Sequence, residues 1–85
     1  MRQNRYQMQP NPKTLLDARR NYSGKIVSLP DDDTLRSQCI RLGLCMGASF
    51  VCVERLPGGT IVLETNRQEI ALGRSLAGSI GVILA

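Results

Sequence analysis

Residues 48–65 read ASFVCVERLPGGTIVLET, which is the pattern of a β-hairpin. The two halves are rich in Val, Ile, Phe and Thr, residue types that favour strands. Between them, Pro57 presets φ for a turn, and Gly58 and Gly59 can adopt positive φ. We therefore predict strands at Ala48–Leu56 and Thr60–Thr65, joined by a tight turn.

The sequence after the hairpin predicts a sheet of further strands. Asn66-Arg67 predicts a tight reversal, and Gln68–Gly73 predicts a third strand, so that a three-stranded meander results. Arg74–Gly78 predicts a single helical or 3₁₀ turn. Ser79–Leu84 (SIGVIL) predicts a last strand, and because that strand is apolar it is expected to lie between neighbours and away from an exposed edge.

The sequence before the hairpin predicts one strand and one helix. Lys25–Leu29 (KIVSL) is short, β-branched and bounded by Gly24 and Pro30 as turn residues, which indicates a strand. The following apolar residues have the spacing of one helix face; they are Leu35, Cys39, Ile40 and Leu42.

Residues at both ends of this predicted helix have the chemistry of caps. Asp32 or Asp33 can accept hydrogen bonds from free amides of the first turn. Gly43 suits the C′ position, where φ is positive, and Leu44 can complete a Schellman motif. Capping therefore accounts for the Asp31-Asp32-Asp33 run without a bound cation, and no further acidic residues follow at the spacing of a calcium loop.

Five strands and one α-helix predict a mainly β fold, a small closed barrel with the helix between its first and second strands. The chain of 85 residues is long enough for one domain. Residues 1–13 (MRQNRYQMQPNPK) are almost without apolar side chains and predict a disordered polar and basic tail. We expect the folded domain to comprise residues 14–85.

Composition excludes most catalytic classes. The chain contains no His, the commonest general base and metal ligand, so we predict no enzymatic activity and no catalytic residues. The formal net charge is +4. Residues 1–25 hold six basic residues against one acidic residue, whereas residues 26–85 hold five against six. Because the excess charge does not belong to the predicted barrel, we expect no nucleic-acid binding.

The three cysteines, Cys39, Cys45 and Cys52, do not have the Cys-x₂₋₄-Cys spacing of zinc sites. We therefore predict structural thiols and no metal-ligating residues, with Cys45 as the most exposed of the three. Metal sensing through thiolates is the alternative. An odd number of cysteines, with no signal peptide and no apolar run long enough for a membrane span, indicates a cytoplasmic protein.

Several short motifs together resemble the ferrous iron transport protein A (FeoA) family. The residues that carry the resemblance are Leu42-Gly43-Leu44, Gly47, Val51-Cys52-Val53 and Pro57-Gly58-Gly59. The similarity extends from about Thr14 to Leu84. The chain departs from the family pattern in having Gln38 and Cys39 where Arg and Leu are usual, and Met46 in place of Pro. It also has Asn21 in place of a Gly, which Asn can replace because it tolerates the left-handed region.

The resemblance implies an SH3-like barrel that assists ferrous iron uptake by docking on the cytosolic part of the FeoB-type permease. It also implies an association with Fe²⁺ or another divalent transition metal, and membrane contact only through the permease. Homo-oligomer formation is left open. For the docking surface we predict Met46, Arg55 and Leu56, because partner surfaces favour Met and Arg. The alternative is a metal-responsive regulatory module, since similar domains form the C-terminal part of metal-dependent repressors.

Overall fold

The computed structural model describes residues 13–85, which form six strands, one 3₁₀ helix and two α-helices. In chain order the elements are β1 (Lys13–Thr14), a 3₁₀ helix (Leu15–Asp17), β2 (Ser23–Ser28), α1 (Asp33–Arg41), β3 (Ser49–Arg55), β4 (Ile61–Thr65), β5 (Gln68–Leu72), α2 (Arg74–Ala77) and β6 (Gly81–Leu84). The predicted mainly β fold is confirmed, with α1 between the first two long strands. The number of strands is six, however, and five were predicted.

All strand pairs are antiparallel and belong to one sheet of order β1-β6-β2-β3-β4-β5. The meander β3-β4-β5 is present as predicted, and the apolar β6 lies between β1 and β2. Within residues 13–85, β1 and β5 are the two ends of the sheet, so the sheet itself is not closed. Its strand order is compatible with the predicted SH3-like barrel.

The strand that sequence analysis missed is β1, where Lys13 pairs with Val82 and Thr14 with Gly81. Thr14 then caps the 3₁₀ helix: its Oγ1 accepts from the Leu16 amide at 3.2 Å, and its own amide donates to Asp17 Oδ2 at 2.9 Å. Lys13, which the prediction assigned to the tail, is therefore part of a strand. The rest of the predicted tail, residues 1–12, lies outside the described residues.

The core is a single apolar cluster contributed by every long strand and by both α-helices. Its members are Leu15, Ala18, Ile26, Cys39, Leu44, Phe50, Cys52, Ile61, Leu63, Leu72, Ala77, Ile80 and Val82. Each buried Ile, Leu or Phe stabilises the fold by about 1.5–3 kcal/mol relative to exposure. Thr65 is the buried polar residue of this region, and its hydroxyl donates to the Ser49 carbonyl at 2.8 Å. The core therefore carries no penalty for that hydroxyl.

Both predicted caps of α1 are confirmed. Asp32 Oδ2 accepts from the Leu35 amide at 2.9 Å. At the other end Gly43 has φ 92°, its amide donates to the Ile40 carbonyl at 3.0 Å, and the Leu44 amide donates to the Cys39 carbonyl at 2.9 Å. These two bonds constitute a Schellman motif.

Gly24, predicted as a turn residue, is instead part of β2 and pairs with Phe50 on one side and Leu84 on the other. A Cβ atom at this position would collide with the Ile83 carbonyl oxygen. The missing side chain therefore lets β6 approach β2 closely, which is a reason for glycine inside a strand. As a consequence β2 begins two residues earlier than the predicted Lys25–Leu29 strand.

Candidate functional site

The structure places Met46 far from the other two predicted docking residues, Arg55 and Leu56. Met46 is 65% exposed and lies in the loop between α1 and β3. Leu56 is 43% exposed and directly follows β3, whose last residue is Arg55. Because a strand rises about 3.3 Å per residue, Met46 and Leu56 are separated by the whole length of β3, about 20 Å. They cannot belong to one small contact patch.

Arg55 has a structural role that the sequence did not indicate. Its Nη1 donates to the Leu16 carbonyl at 2.8 Å and to the Ala18 carbonyl at 2.5 Å. These bonds connect the end of β3 to the 3₁₀ helix, through Leu16, and to the residue after it, Ala18, which is 37 positions from Arg55 in sequence. Part of the Arg55 side chain therefore stabilises the fold, and Arg55 does not contact the surface around Met46.

Met46 borders an apolar groove of about 490 Å³ on the outside of the sheet. The lining residues of this apolar groove are Gly24, Lys25, Ile26, Val27, Met46, Gly47, Ile83 and Ala85. Ile83 is 57% exposed and Val27 is 39% exposed. Large apolar side chains that are exposed next to one another mark binding surfaces more often than isolated ones do.

A local irregularity of the backbone lies beside these side chains. Ile26 pairs with Val82 and Ser28 with Gly81, so Val27 is an extra residue in β2, a β-bulge. Bulges redirect side chains and occur next to functional sites. On the loop side, Gly47 has φ 89°, and its amide donates to the Ile26 carbonyl at 2.6 Å. The loop that carries Met46 is therefore tied to the bulged strand.

Sequence analysis found Met46 but missed Val27 and Ile83. For Ile83 a signal was available, since residues alternate between faces along a strand and Val82 is in the core. For Val27 there was none, because the strand pattern KIVSL does not indicate where a bulge falls.

Charged groups border the apolar groove. Lys25 is exposed and pairs with Ile83 on one side and Ser49 on the other. A second hollow of about 430 Å³ shares Lys25 with the apolar groove and continues across the sheet to Val51 and Glu64. An apolar centre with a polar rim is the usual composition of a protein–protein interface.

The cysteines do not assemble into a metal site. Cys39, Cys45 and Cys52 are free thiols, and among residues 13–85 no group of three or more His, Cys, Asp or Glu side chains could hold a metal ion. Burial raises the pKa of the Cys39 thiol. Burial also raises the pKa of Cys52, although the positive charge of Arg55 opposes the shift. Thiols that stay protonated are poor metal ligands, so Cys39 and Cys52 do not fit a resident transition metal.

Cys45 is exposed, as predicted, while the other two thiols are in the core. No helix within residues 13–85 has the length and apolar character that a membrane crossing requires.

A single antiparallel sheet with α1 inserted between β2 and β3 places this chain in the class of small SH3-like β domains. The sequence profile of the FeoA domain matches residues 13–84, which is most of the chain. The chain belongs to the FeoA domain family, and the resemblance inferred from its motifs is confirmed. No curated protein sequence matches it significantly.

Solved structures agree with this assignment. An iron uptake regulatory protein (FeoA) has a TM-score of 0.81 and 24% identity, with 88% of this chain and 100% of that chain covered. FeoA of Stenotrophomonas maltophilia in complex with zinc, described as an SH3 domain protein and proposed as a ferrous iron transport activating factor, has a TM-score of 0.71 and 22% identity over 84% and 89%.

A manganese-dependent transcriptional repressor in complex with manganese has a TM-score of 0.81 and 19% identity. The match covers 89% of this chain but only 38% of the repressor chain. The similarity to that protein is therefore limited to one part of it and concerns the fold alone.

Proposed function

We propose that this chain is a cytoplasmic, non-enzymatic accessory protein of ferrous iron uptake that docks on the cytosolic part of a FeoB-type permease through the apolar groove. Membership of the FeoA family links the chain to ferrous iron transport. The observation that carries the docking proposal is the exposure of Met46 and Ile83 on the same groove, at 65% and 57%.

The groove suits a partner segment that is apolar with a carboxylate at its border. Covering Ile83 and Met46 would remove more than half of each side chain from water, and full burial of such a side chain is worth about 1.5–3 kcal/mol. Met adapts its shape to different partners because its side chain is unbranched and flexible. Lys25 can form an ion pair with the carboxylate, which favours one orientation of the partner.

The proposal is tested by the affinity of the full chain for the purified cytosolic domain of the permease, measured with and without nucleotide. We expect Ile83→Ser to weaken binding about tenfold. Ile40→Ser is the matched control, since Ile40 is 60% exposed but lies on α1, away from the apolar groove. Absence of binding to the wild-type chain would refute docking. Equal losses in the two variants would refute the apolar groove as the surface.

A second test distinguishes the apolar groove from Leu56, a docking residue that the sequence suggested and that does not line the groove. Leu56 is at the far end of β3, so Leu56→Ser is expected to leave the affinity unchanged. A loss of affinity in Leu56→Ser alone would move the docking surface to that end of the sheet.

The second candidate function is a regulatory module associated with nucleic acid, which the similarity to the manganese-dependent repressor favours. That similarity covers 38% of the repressor chain, so it supports only one part of such a regulator. Salt-dependent binding to duplex DNA that persists after removal of residues 1–12 would favour this function. Without such binding this candidate fails.

A further inference from the structure

A third concave surface, which shares no residue with the apolar groove, is lined mainly by arginines. Its volume is about 510 Å³, and its lining residues are Leu16, Asp17, Arg19, Arg20 and Arg55. We refer to these five residues as the arginine cleft. Neither the predicted docking surface nor the FeoA motifs of the sequence account for Arg19 and Arg20.

Main-chain hydrogen bonds fix the backbone of the arginine cleft. The Tyr22 amide donates to the Arg19 carbonyl at 2.9 Å, which closes a turn. Asn21 has φ 74° in this turn, and its amide donates to the Cys52 carbonyl at 2.7 Å. The turn that carries Arg19 and Arg20 is thus attached to β3, the strand that ends at Arg55.

Arg55 is held in the arginine cleft by hydrogen bonds to two main-chain carbonyls. Its Nη1 is engaged by the Leu16 and Ala18 carbonyls, two neutral acceptors. These bonds position the guanidinium but leave its positive charge without a neutralising partner. For Nη2 and Nε of Arg55 the structure shows no acceptor within residues 13–85, so these donors remain available to a ligand.

The charge of the arginine cleft is strongly positive. Three arginines and one acidic residue line the cleft. The acidic residue is Asp17, whose Oδ2 accepts from the Thr14 amide. Across residues 13–85, the ion pair that the structure shows is Arg36 with Asp33, on α1. No arginine of the cleft is therefore paired with a carboxylate. Like charges brought together without partners repel each other, and an anion bound among them removes that repulsion.

We propose that the arginine cleft binds the phosphate group of a phosphate-bearing ligand. Guanidinium is planar, always charged and weakly hydrated, and its paired N–H groups match two oxygens of a phosphate. A phosphate group can come from a soluble phosphate compound or from a phospholipid headgroup, and the chemistry of recognition is the same. The site does not depend on docking to a permease, because the cleft and the apolar groove are lined by separate residues.

The experiment is a titration of the full, ¹⁵N-labelled chain with inorganic phosphate at constant ionic strength, followed by NMR through backbone amides and arginine Nε–H groups. Saturable shifts at Arg19, Arg20 and Arg55, with a dissociation constant of about 1 mM, are expected. A parallel experiment measures co-flotation with phosphatidylcholine vesicles that contain about one third phosphatidylglycerol. Saturation by phosphate alone indicates a soluble ligand, whereas stronger retention by the anionic vesicles indicates a headgroup.

The test variant is Arg19→Gln/Arg20→Gln, because Arg55→Gln would also remove bonds that hold the fold. Arg41→Gln/Arg67→Gln is the matched control, which loses the same charge at positions outside the cleft. We expect phosphate or vesicle binding to weaken about tenfold in the test variant and less than about twofold in the control. Equal losses in the two variants would show only a general effect of net charge and would overturn the proposal. The absence of saturable binding in both experiments would overturn it as well.

Discussion

Replacement of Gly24 by Ala tests the close approach of β2 and β6. The added Cβ would collide with the Ile83 carbonyl oxygen and lie 3.1 Å from the Ile83 carbonyl carbon and the Leu84 Cα. All three atoms are main chain, so no side-chain rotation relieves the collision, and β6 has to move away from β2. That movement disturbs the pairing of Gly24 with Leu84 and the adjacent bond from the Ala85 amide to the Ser23 carbonyl, which measures 2.8 Å.

The expected cost of Gly24→Ala follows from these contacts. Two hydrogen bonds are worth about 1 kcal/mol each, and overpacking costs about 1–3 kcal/mol, of which part is relieved when the bonds lengthen. We therefore expect a loss of about 3 kcal/mol. A chain of 85 residues has a free energy of unfolding of about 4–13 kcal/mol, so this loss is a large fraction of the total. The melting temperature should fall by about 12–20 °C.

Urea and thermal unfolding, followed by far-UV circular dichroism, measure this effect. Gly81→Ala is the control, because a Cβ at Gly81 would collide with Ser28 Oγ, the end of an exposed side chain that can rotate away. We expect Gly81→Ala to cost less than about 1 kcal/mol. If Gly24→Ala were no more destabilising than Gly81→Ala, the explanation of Gly24 as the residue that permits close strand approach would be wrong.

Four further substitutions or titrations have definite expected outcomes. Arg67→Gly should raise the free energy of unfolding, measured in urea, by about 1 kcal/mol. The reason is that Asn66 and Arg67 both have positive φ, which is the geometry of a type I′ turn, and Asn-Gly fits that turn best. A decrease in the free energy of unfolding would contradict this explanation. Asp32→Ala should lower the free energy of unfolding by about 1 kcal/mol through loss of the cap on α1. Asp31→Ala should leave it unchanged, because the Asp31 side chain forms no hydrogen bond within residues 13–85. A thiol reagent should modify Cys45 in the folded chain, and Cys39 and Cys52 only after unfolding; reaction of all three at one rate would contradict their burial. Because burial raises the pKa of Cys39 and Cys52, the folded chain keeps protons that the unfolded chain loses, and the free energy of unfolding should fall as the pH rises above about 8.5. The fall should be less steep in Cys39→Ala, which lacks one of the two buried thiols. An unchanged pH dependence in this variant would contradict the assignment.

Local patterns predicted most of the fold. The turn residues Pro57-Gly58-Gly59 and Asn66-Arg67 lie where two hairpin turns occur, and the Schellman motif at Gly43 and Leu44 has the bonds that the sequence indicated. These features depend on residues close in sequence, whose backbone preferences act without tertiary context.

Features that depend on distant residues were not predictable. β1 consists of two residues that have no strand pattern and form a strand because Val82 and Gly81 are beside them. Gly24 looked like a turn residue because the carbonyl of Ile83, which explains it, is 59 positions later in the sequence.

In the candidate sites too, features that depend on nearby residues were predictable, and features that depend on distant residues were not. The exposure of Met46 could be predicted from its position in a loop. The bulge that brings Val27 to the same groove could not be predicted. Arg19 and Arg20 were counted with the charge of the first 25 residues, and only the fold shows that Arg55 joins them in one cleft.

The loop that carries Met46 is held at both ends by main-chain bonds. The Leu44 amide donates to Cys39 on the helix side, and the Gly47 amide donates to Ile26 on the strand side, so that two residues, Cys45 and Met46, span the distance between these fixed points. Ordering the backbone of one residue on binding costs about 1–2 kcal/mol. Here that entropy is already lost when the chain folds, and a partner has only to select a rotamer of the Met46 side chain. The groove can therefore accept different apolar shapes while its backbone stays unchanged.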